Sequence, residues 1–289
     1  MPVTTRLTNA HLRVDVSSLG AEMQALTTTD GRNWLWNGDA AWWNGRSPIL
    51  FPLVGKAPDN RLTIDGKIYE MNQHGFARRS EFTLVTSTAV MARYELAASE
   101  ATRQVYPFEF QLALIYTLDE HKVTVAAEVE NRDTRPLPFG LGYHPAFAWP
   151  LPGAEGRPHT VTLDNGAEPT LVRLQDGLLK PTAYASPFTA GRLVLDPALF
   201  DADAMIFPEG AGTALTYAAE GGPLLKFTFD NLPNLALWQK PGAPFICIEP
   251  WHGTAALLGA SNDITKRPYG VTLAPGAKAR FAFTVELPA

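Results

Sequence analysis

Of the chain's 289 residues, 46% are hydrophobic, 10% aromatic and 18% charged, which suits a globular core and excludes disorder as the main state. The 24 Lys and Arg against 29 Asp and Glu leave a formal net charge of −5 with no basic run, so nucleic acid and anionic membrane are poor candidates for partners. The single cysteine excludes an internal disulfide framework and thiolate zinc clusters.

No run of 18 apolar residues exists, so no spanning helix is expected. Residues Met1 to Thr8 lack the basic-then-apolar order of a signal peptide. The expectation is a cytoplasmic protein, monomer or homodimer. The 24 prolines and 23 glycines punctuate the chain densely, which favours many short elements and many turns.

In chain order, the first clear signal is a hairpin. Leu62–Ile64 and Lys67–Tyr69 flank Asp65-Gly66, a pair suited to a type I′ turn because both central residues need positive φ. Alternation then predicts strands at Glu81–Thr86 and Val90–Leu96. The stretch Glu95–Gln104 is the best helix candidate, cut short by Pro107. Phe110–Leu118 and Lys122–Glu130 read as an antiparallel pair. Later strands are predicted at His159–Leu163, Leu224–Phe229, Leu235–Trp238, Phe245–Glu249 and Arg280–Leu287, and Leu151–Arg157 as a surface loop. Strands without amphipathic helices between them argue against a doubly wound α/β fold. They predict an all-β protein, a large antiparallel sandwich with one face partly open to solvent, in a single domain over residues 1–289.

The usual cofactor motifs are missing. No two of the six histidines have the spacing of a helical zinc site, and there is no dinucleotide fingerprint, P-loop or nucleophile elbow. Acid–base chemistry is left as the leading enzymatic option, with no cofactor and no metal expected.

Three segments are unusual for plain strand or turn sequence. Asn72–Arg78 puts His74 and Arg78 around the permissive Gly75. Taken alone, a polar loop with a capping His is the simpler account. In Phe139–Pro145, Pro145 forces His144 into an extended backbone, and Gly140 and Gly142 allow close approach. A His in that apolar setting needs a partner or stays neutral. In Phe245–Trp251 the strand period puts Phe245, Cys247 and Glu249 on one face and Ile246 and Ile248 on the other. Glu249 thus ends an apolar strand, where carboxylates are rare unless paired; a strand-end salt bridge is the simpler alternative. Trp251 beside it suits stacking on a sugar ring or plain core packing.

Five segments together resemble the aldose 1-epimerase (galactose mutarotase-like) family: Asn60-Arg61 leading into LTIDGKIY, HGFAR at 74–78, GYHPAF at 142–147, DADAMIF at 201–207 and CIEPWHG at 247–253. They occur in the family's order over most of the chain, and their wording is nearer the bacterial branch and the hexose-6-phosphate mutarotases. The resemblance implies a β-supersandwich with a sugar in its concave cleft. It implies Glu249 as the base that takes the anomeric proton and His144 as the acid that protonates the ring oxygen. His74, Arg61 and Asp203 would hold ring oxygen or hydroxyls. Asp201 is the alternative to Asp203, and Trp251 would stack on the sugar. The substrate would be a sugar or sugar phosphate. For a phosphate, Arg78 is the expected ligand, with Arg46 or Lys56 as a second charge; Arg78 pairing with Glu81 is the bland alternative. Ala146 stands where relatives usually carry a larger aromatic, which would widen the cleft. A carboxylate base and a protonated His predict a bell-shaped rate profile whose upper limb belongs to His144. A non-catalytic carbohydrate-binding domain on the same scaffold is the competing reading.

Overall fold

The computed structural model describes residues 2–288. Its two main sheets are antiparallel. One has nine strands in the order Arg192–Val194, His159–Leu163, Ala214–Ala219, Leu224–Asp230, Lys278–Glu286, Lys122–Asn131, Phe110–Asp119, Met91–Ala97 and Thr83–Ser87. The other has eight and is centred on the long strand Phe245–His252, with Asn234–Trp238 on one side and Leu141–Tyr143 and Ala146–Ala148 on the other. A three-stranded sheet, Thr4–Thr8, Leu12–Ser17 and Met23–Thr28, precedes them.

Alternation along strands such as Ala214–Ala219 and Leu224–Asp230 sends one set of side chains into a shared apolar core. Phe147 meets Phe227 with ring centroids 5.0 Å apart, and Tyr143 meets Phe283 at 4.9 Å. The buried Tyr143 hydroxyl is satisfied by donating to the Phe281 carbonyl at 2.9 Å. No helix among the described residues is long and apolar enough to cross a membrane.

The predicted strands form, with ends displaced by at most three residues and His159–Leu163 unchanged. Asp65 and Gly66 turn the first hairpin with φ of 50° and 75°, as a type I′ turn requires. The helix expected over Glu95–Gln104 shrinks to one turn, Glu100–Arg103, capped by Ser99. Glu95 and Ala97 instead pair with Ala113 and Gln111 on the neighbouring strand. A helix of about ten residues barely repays its nucleation on its own, so sheet pairing takes the first part of the segment. The hairpin of Leu171–Gln175 and Leu178–Tyr184 escapes the sequence reading, although Asp176-Gly177 between them has the same left-handed pair, φ 54° and 81°.

Candidate functional site

The eight-stranded sheet leaves a cleft of about 390 Å³ on its outer face. On the central strand Phe245, Cys247, Glu249 and Trp251 all turn away from the main core, while Ile246 and Ile248 face into it. Glu249 is thereby carried to the cleft on a rigid element, only 2% exposed. Its partner strand is broken in two. Gly142 pairs with Trp251 on one side of the break and Ala146 with Cys247 on the other. That register sets His144 directly across from Glu249, where cross-strand side chains meet. His144 Nε2 lies 3.3 Å from Glu249 Oε2. Gly142 is required here, since a Cβ on it would stand 2.4 Å from the Trp251 ring.

Burial opposes charge on both members of the pair. Desolvation, then Arg78, pushes His144 down to about 3. Desolvation and the Asp203 carboxylate hold Glu249 well above the usual carboxylate range, and the Trp251 indole opposes them. Two buried atoms of the pair, His144 Nδ1 and Glu249 Oε2, have no hydrogen-bond partner among the described residues. Unsatisfied buried polar atoms in a cleft are receptors for a ligand's polar groups. Ligand atoms of His144, Cys247 and Glu249 also lie within 4.8 Å of one another, the one such grouping among the described residues that could hold a metal ion.

His74 enters from a turn docked on Phe51. The amides of Phe76 and Ala77 both donate to the Phe51 carbonyl, at 3.0 and 3.2 Å. Gly75 has φ 71°, and a Cβ there would collide with that carbonyl oxygen at 2.1 Å, so only glycine fits. His74 itself is left-handed, φ 67°. The Gly55 N–H donates to His74 Nδ1 at 3.1 Å, so a neutral ring carries its proton on Nε2, which the Gln73 side-chain amide meets at 3.2 Å and can accept only through its oxygen. Burial, then His144 and Arg78, hold His74 well below its ordinary value and so neutral. Its ring stands edge-on to His144, centroids 5.7 Å apart.

Asp203, Arg78 and Trp251 join His74, His144 and Glu249 in the cleft lining. Asp203 sits in a left-handed bend, φ 66°, with its carbonyl held by Arg173 at 2.6 Å. Asp201 is exposed and outside the lining. Arg61 is also exposed, on the first hairpin strand, and does not line the cleft. Arg78 donates to the Gln73 carbonyl at 3.1 Å and makes no bond to Glu81, whose carboxylate is taken by Ser18. Arg46 is committed to the Asn37 carbonyl and Gln24. Lys56 and Arg79 instead join Arg78 along an adjoining rim. Ala146 does not widen the cleft: it is fully buried behind it, where Trp36 and Phe245 fill the space.

Two walls went unread in the sequence. Trp43 packs on His144 with centroids 4.8 Å apart, and Trp238 meets His144 at 5.6 Å. The Trp42-Trp43 pair in an otherwise polar loop was the available signal for the first. Gln73, inside the HGFAR-preceding loop, lines the cleft as well.

This arrangement offers an adjacent proton donor and acceptor, aromatic walls and a rim of cations. The family model described as aldose 1-epimerase matches residues 4–261. Protein LacX (chromosomal) of Lactococcus lactis subsp. lactis is 29% identical, over 94% of this chain and 95% of LacX. A galactose mutarotase related enzyme from Lactobacillus acidophilus superimposes with a TM-score of 0.94 at 26% identity, covering 99% of this chain and 98% of that one. A galactose mutarotase-like protein from Lactobacillus casei gives 0.92 at 27% identity, covering 99% and 100%.

Proposed function

The chain belongs to the aldose 1-epimerase family and has its galactose mutarotase-like β-sandwich, and from that premise we propose that it interconverts the α and β anomers of an aldohexose. The observation that carries this reading is the pair His144–Glu249, facing each other at 3.3 Å in a cleft with unsatisfied polar atoms. In the reaction Glu249 takes the anomeric proton and His144 delivers one to the ring oxygen. The C1–O5 bond breaks, the aldehyde forms, C1–C2 rotates and the ring recloses with the proton movements reversed. Each step conserves protons and electrons, so the reading needs no metal and no cofactor.

Burial favours protonated Glu249 beside neutral His144 in the free protein. The reactive form, ionised Glu249 beside protonated His144, has the same proton count. It is reached by moving one proton across the gap between them. A sugar's hydroxyls supply the polar partners that make that form affordable in a dry site. The neutral His74 offers its Nε2–H to a ring or hydroxyl oxygen. Asp203 accepts from hydroxyls, and Trp43, Trp238 and Trp251 pack on the apolar faces of the ring.

A phosphorylated hexose is the second reading. It is favoured by Lys56, Arg78 and Arg79, none of which has a carboxylate within ion-pair distance among the described residues. We place the activity in a single domain, supported by the one apolar cluster that runs from Leu7 to Leu287. A cytoplasmic location is part of the same reading, supported by the lone buried thiol of Cys247. The test is anomer exchange followed by NMR on freshly dissolved α-glucose, α-galactose and glucose 6-phosphate. Catalysed exchange is expected for at least one. Binding without exchange would identify a carbohydrate-binding domain instead.

A further inference from the structure

Among the described residues Arg267 is a cation without an anion. It follows the short turn Ile264–Lys266, and burial alone, with no opposing acid, lowers it to about 10. Its guanidinium spends its donors on backbone carbonyls: Val54 at 2.7 Å, Thr254 at 2.9 Å and Lys56 at 3.4 Å. Two of these flank Gly55. Gly55 also rests against Ala255, where a Cβ on it would clash at 2.5 Å, so the two segments are in close contact. Gly55 in turn holds His74 twice. Its N–H donates to His74 Nδ1 at 3.1 Å, and its carbonyl accepts the His74 amide at 2.8 Å. His74 is left-handed and cannot hold this geometry from local preference alone.

We propose that Arg267 is a positioning residue that acts through Gly55 to keep His74 in its Nε2–H tautomer, with Nε2 facing the Gln73 side-chain amide 3.2 Å away in the cleft that both residues line. The planar fork of the guanidinium bridges the two segments at once. An ammonium cannot, because it is a compact point charge without that reach. If the segment 54–56 drifts, the Gly55 N–H leaves Nδ1, and the ring is free to carry its proton on the wrong nitrogen. His74 then loses its donor toward the sugar. The inference rests on the proposed mutarotase activity only for its kinetic consequence. The tautomer itself is a property of the ligand-free protein.

The test uses Arg267→Lys and Arg267→Ala in the full chain, with ring-nitrogen NMR of His74 as the first readout. The expected result is a protonated Nε2 in the parent protein and a mixture of tautomers in both variants. Exchange activity should fall about tenfold, on the scale of one hydrogen bond. The fall should be in kcat more than in KM. Added guanidinium should restore part of it in Arg267→Ala. In a His74→Asn background, Arg267→Lys should cost nothing further. A native tautomer in both variants would overturn the proposal, as would an equal loss in the His74→Asn background. If Arg267→Ala does not fold, Arg267→Lys decides alone, since it keeps the buried charge. Should the parent protein exchange no sugar, the functional reading falls while the NMR result still judges the tautomer.

Discussion

At one end of the cleft His144 and Glu249 are 8% and 2% exposed and face each other; at the other, Lys56, Arg78 and Arg79 gather along a rim open to water. The first end is built on adjacent strands of the central sheet. The second is built on turns: the 74–78 loop, the segment 54–56 and the Asp176-Gly177 hairpin. Low dielectric at the dry end makes each proton transfer sensitive to placement, so a rigid ladder suits it. Cations at the wet end are screened and tolerate looser support, which suits recognition. In the proposed reaction, chemistry and selection would therefore sit on different classes of structure and should fail separately.

The widest separation is expected in kcat. Glu249→Gln and His144→Asn should each slow exchange by about 10²–10⁴-fold with the fold intact. Polarimetry on fresh α-glucose or α-galactose checks this, and parent rates in either variant would remove that residue's role. Arg78→Ala should instead raise KM for glucose 6-phosphate about 10–100-fold, the worth of a charge-assisted hydrogen bond, and leave free glucose almost untouched. Equal loss on both sugars would reduce Arg78 to a support for the His74 loop.

The pH profile sharpens the same contrast. Both one-proton forms of the pair give a bell in kcat/KM. Because His144 is driven down to about 3 and Glu249 up, the acid limb belongs to protonating His144 and the alkaline limb to ionising Glu249. This reverses the order expected from the sequence. His144→Asn should abolish the acid limb; loss of the alkaline limb instead would restore the original order.

Stability should move the other way from activity. Unfolded, Glu249 ionises near 4.5; folded, it resists until far higher pH, so at neutral pH the unfolded state is favoured by that ionisation. Glu249→Gln should thus raise Tm at pH 7, on the order of a few degrees. The gain should vanish below the ordinary carboxylate range, where both states are protonated. Calorimetry at the two pH values tests the sign. The smallest effect is expected at Arg61: Arg61→Ala should change kcat and KM by less than about twofold, within the ~0.5 kcal/mol usual for surface substitutions. A large loss there would bring Arg61 to the substrate despite its exposed position.

Much of this was legible because the information was local. Asp65-Gly66 specified its own turn, and the period of Phe245–Trp251 put Glu249 on the opposite face from Ile246. The meeting of His144 with Glu249, far apart in sequence, follows from strand register: Gly142 with Trp251 and Ala146 with Cys247 set His144 directly across from Glu249. What stayed hidden depended on how unlike segments pack. Trp36 filling the space beside Ala146, and Arg267 reaching three carbonyls, leave no periodic trace. Arg61 shows the converse, a motif residue on the solvent side of a strand whose other face is buried.

Of the seven tryptophans, Trp43, Trp238 and Trp251 line the cleft, and Trp43 lies against His144. Trp34 and Trp36 are buried away from it. The protein therefore carries an intrinsic fluorophore beside the pair proposed to react. A sugar that displaces water from those indoles changes their emission, so occupancy can be read optically without turnover. Imidazolium quenches indole more strongly than imidazole does. The light from Trp43 thus also reports when the proton moves to His144, separating the arrival of ligand from the transfer that follows it.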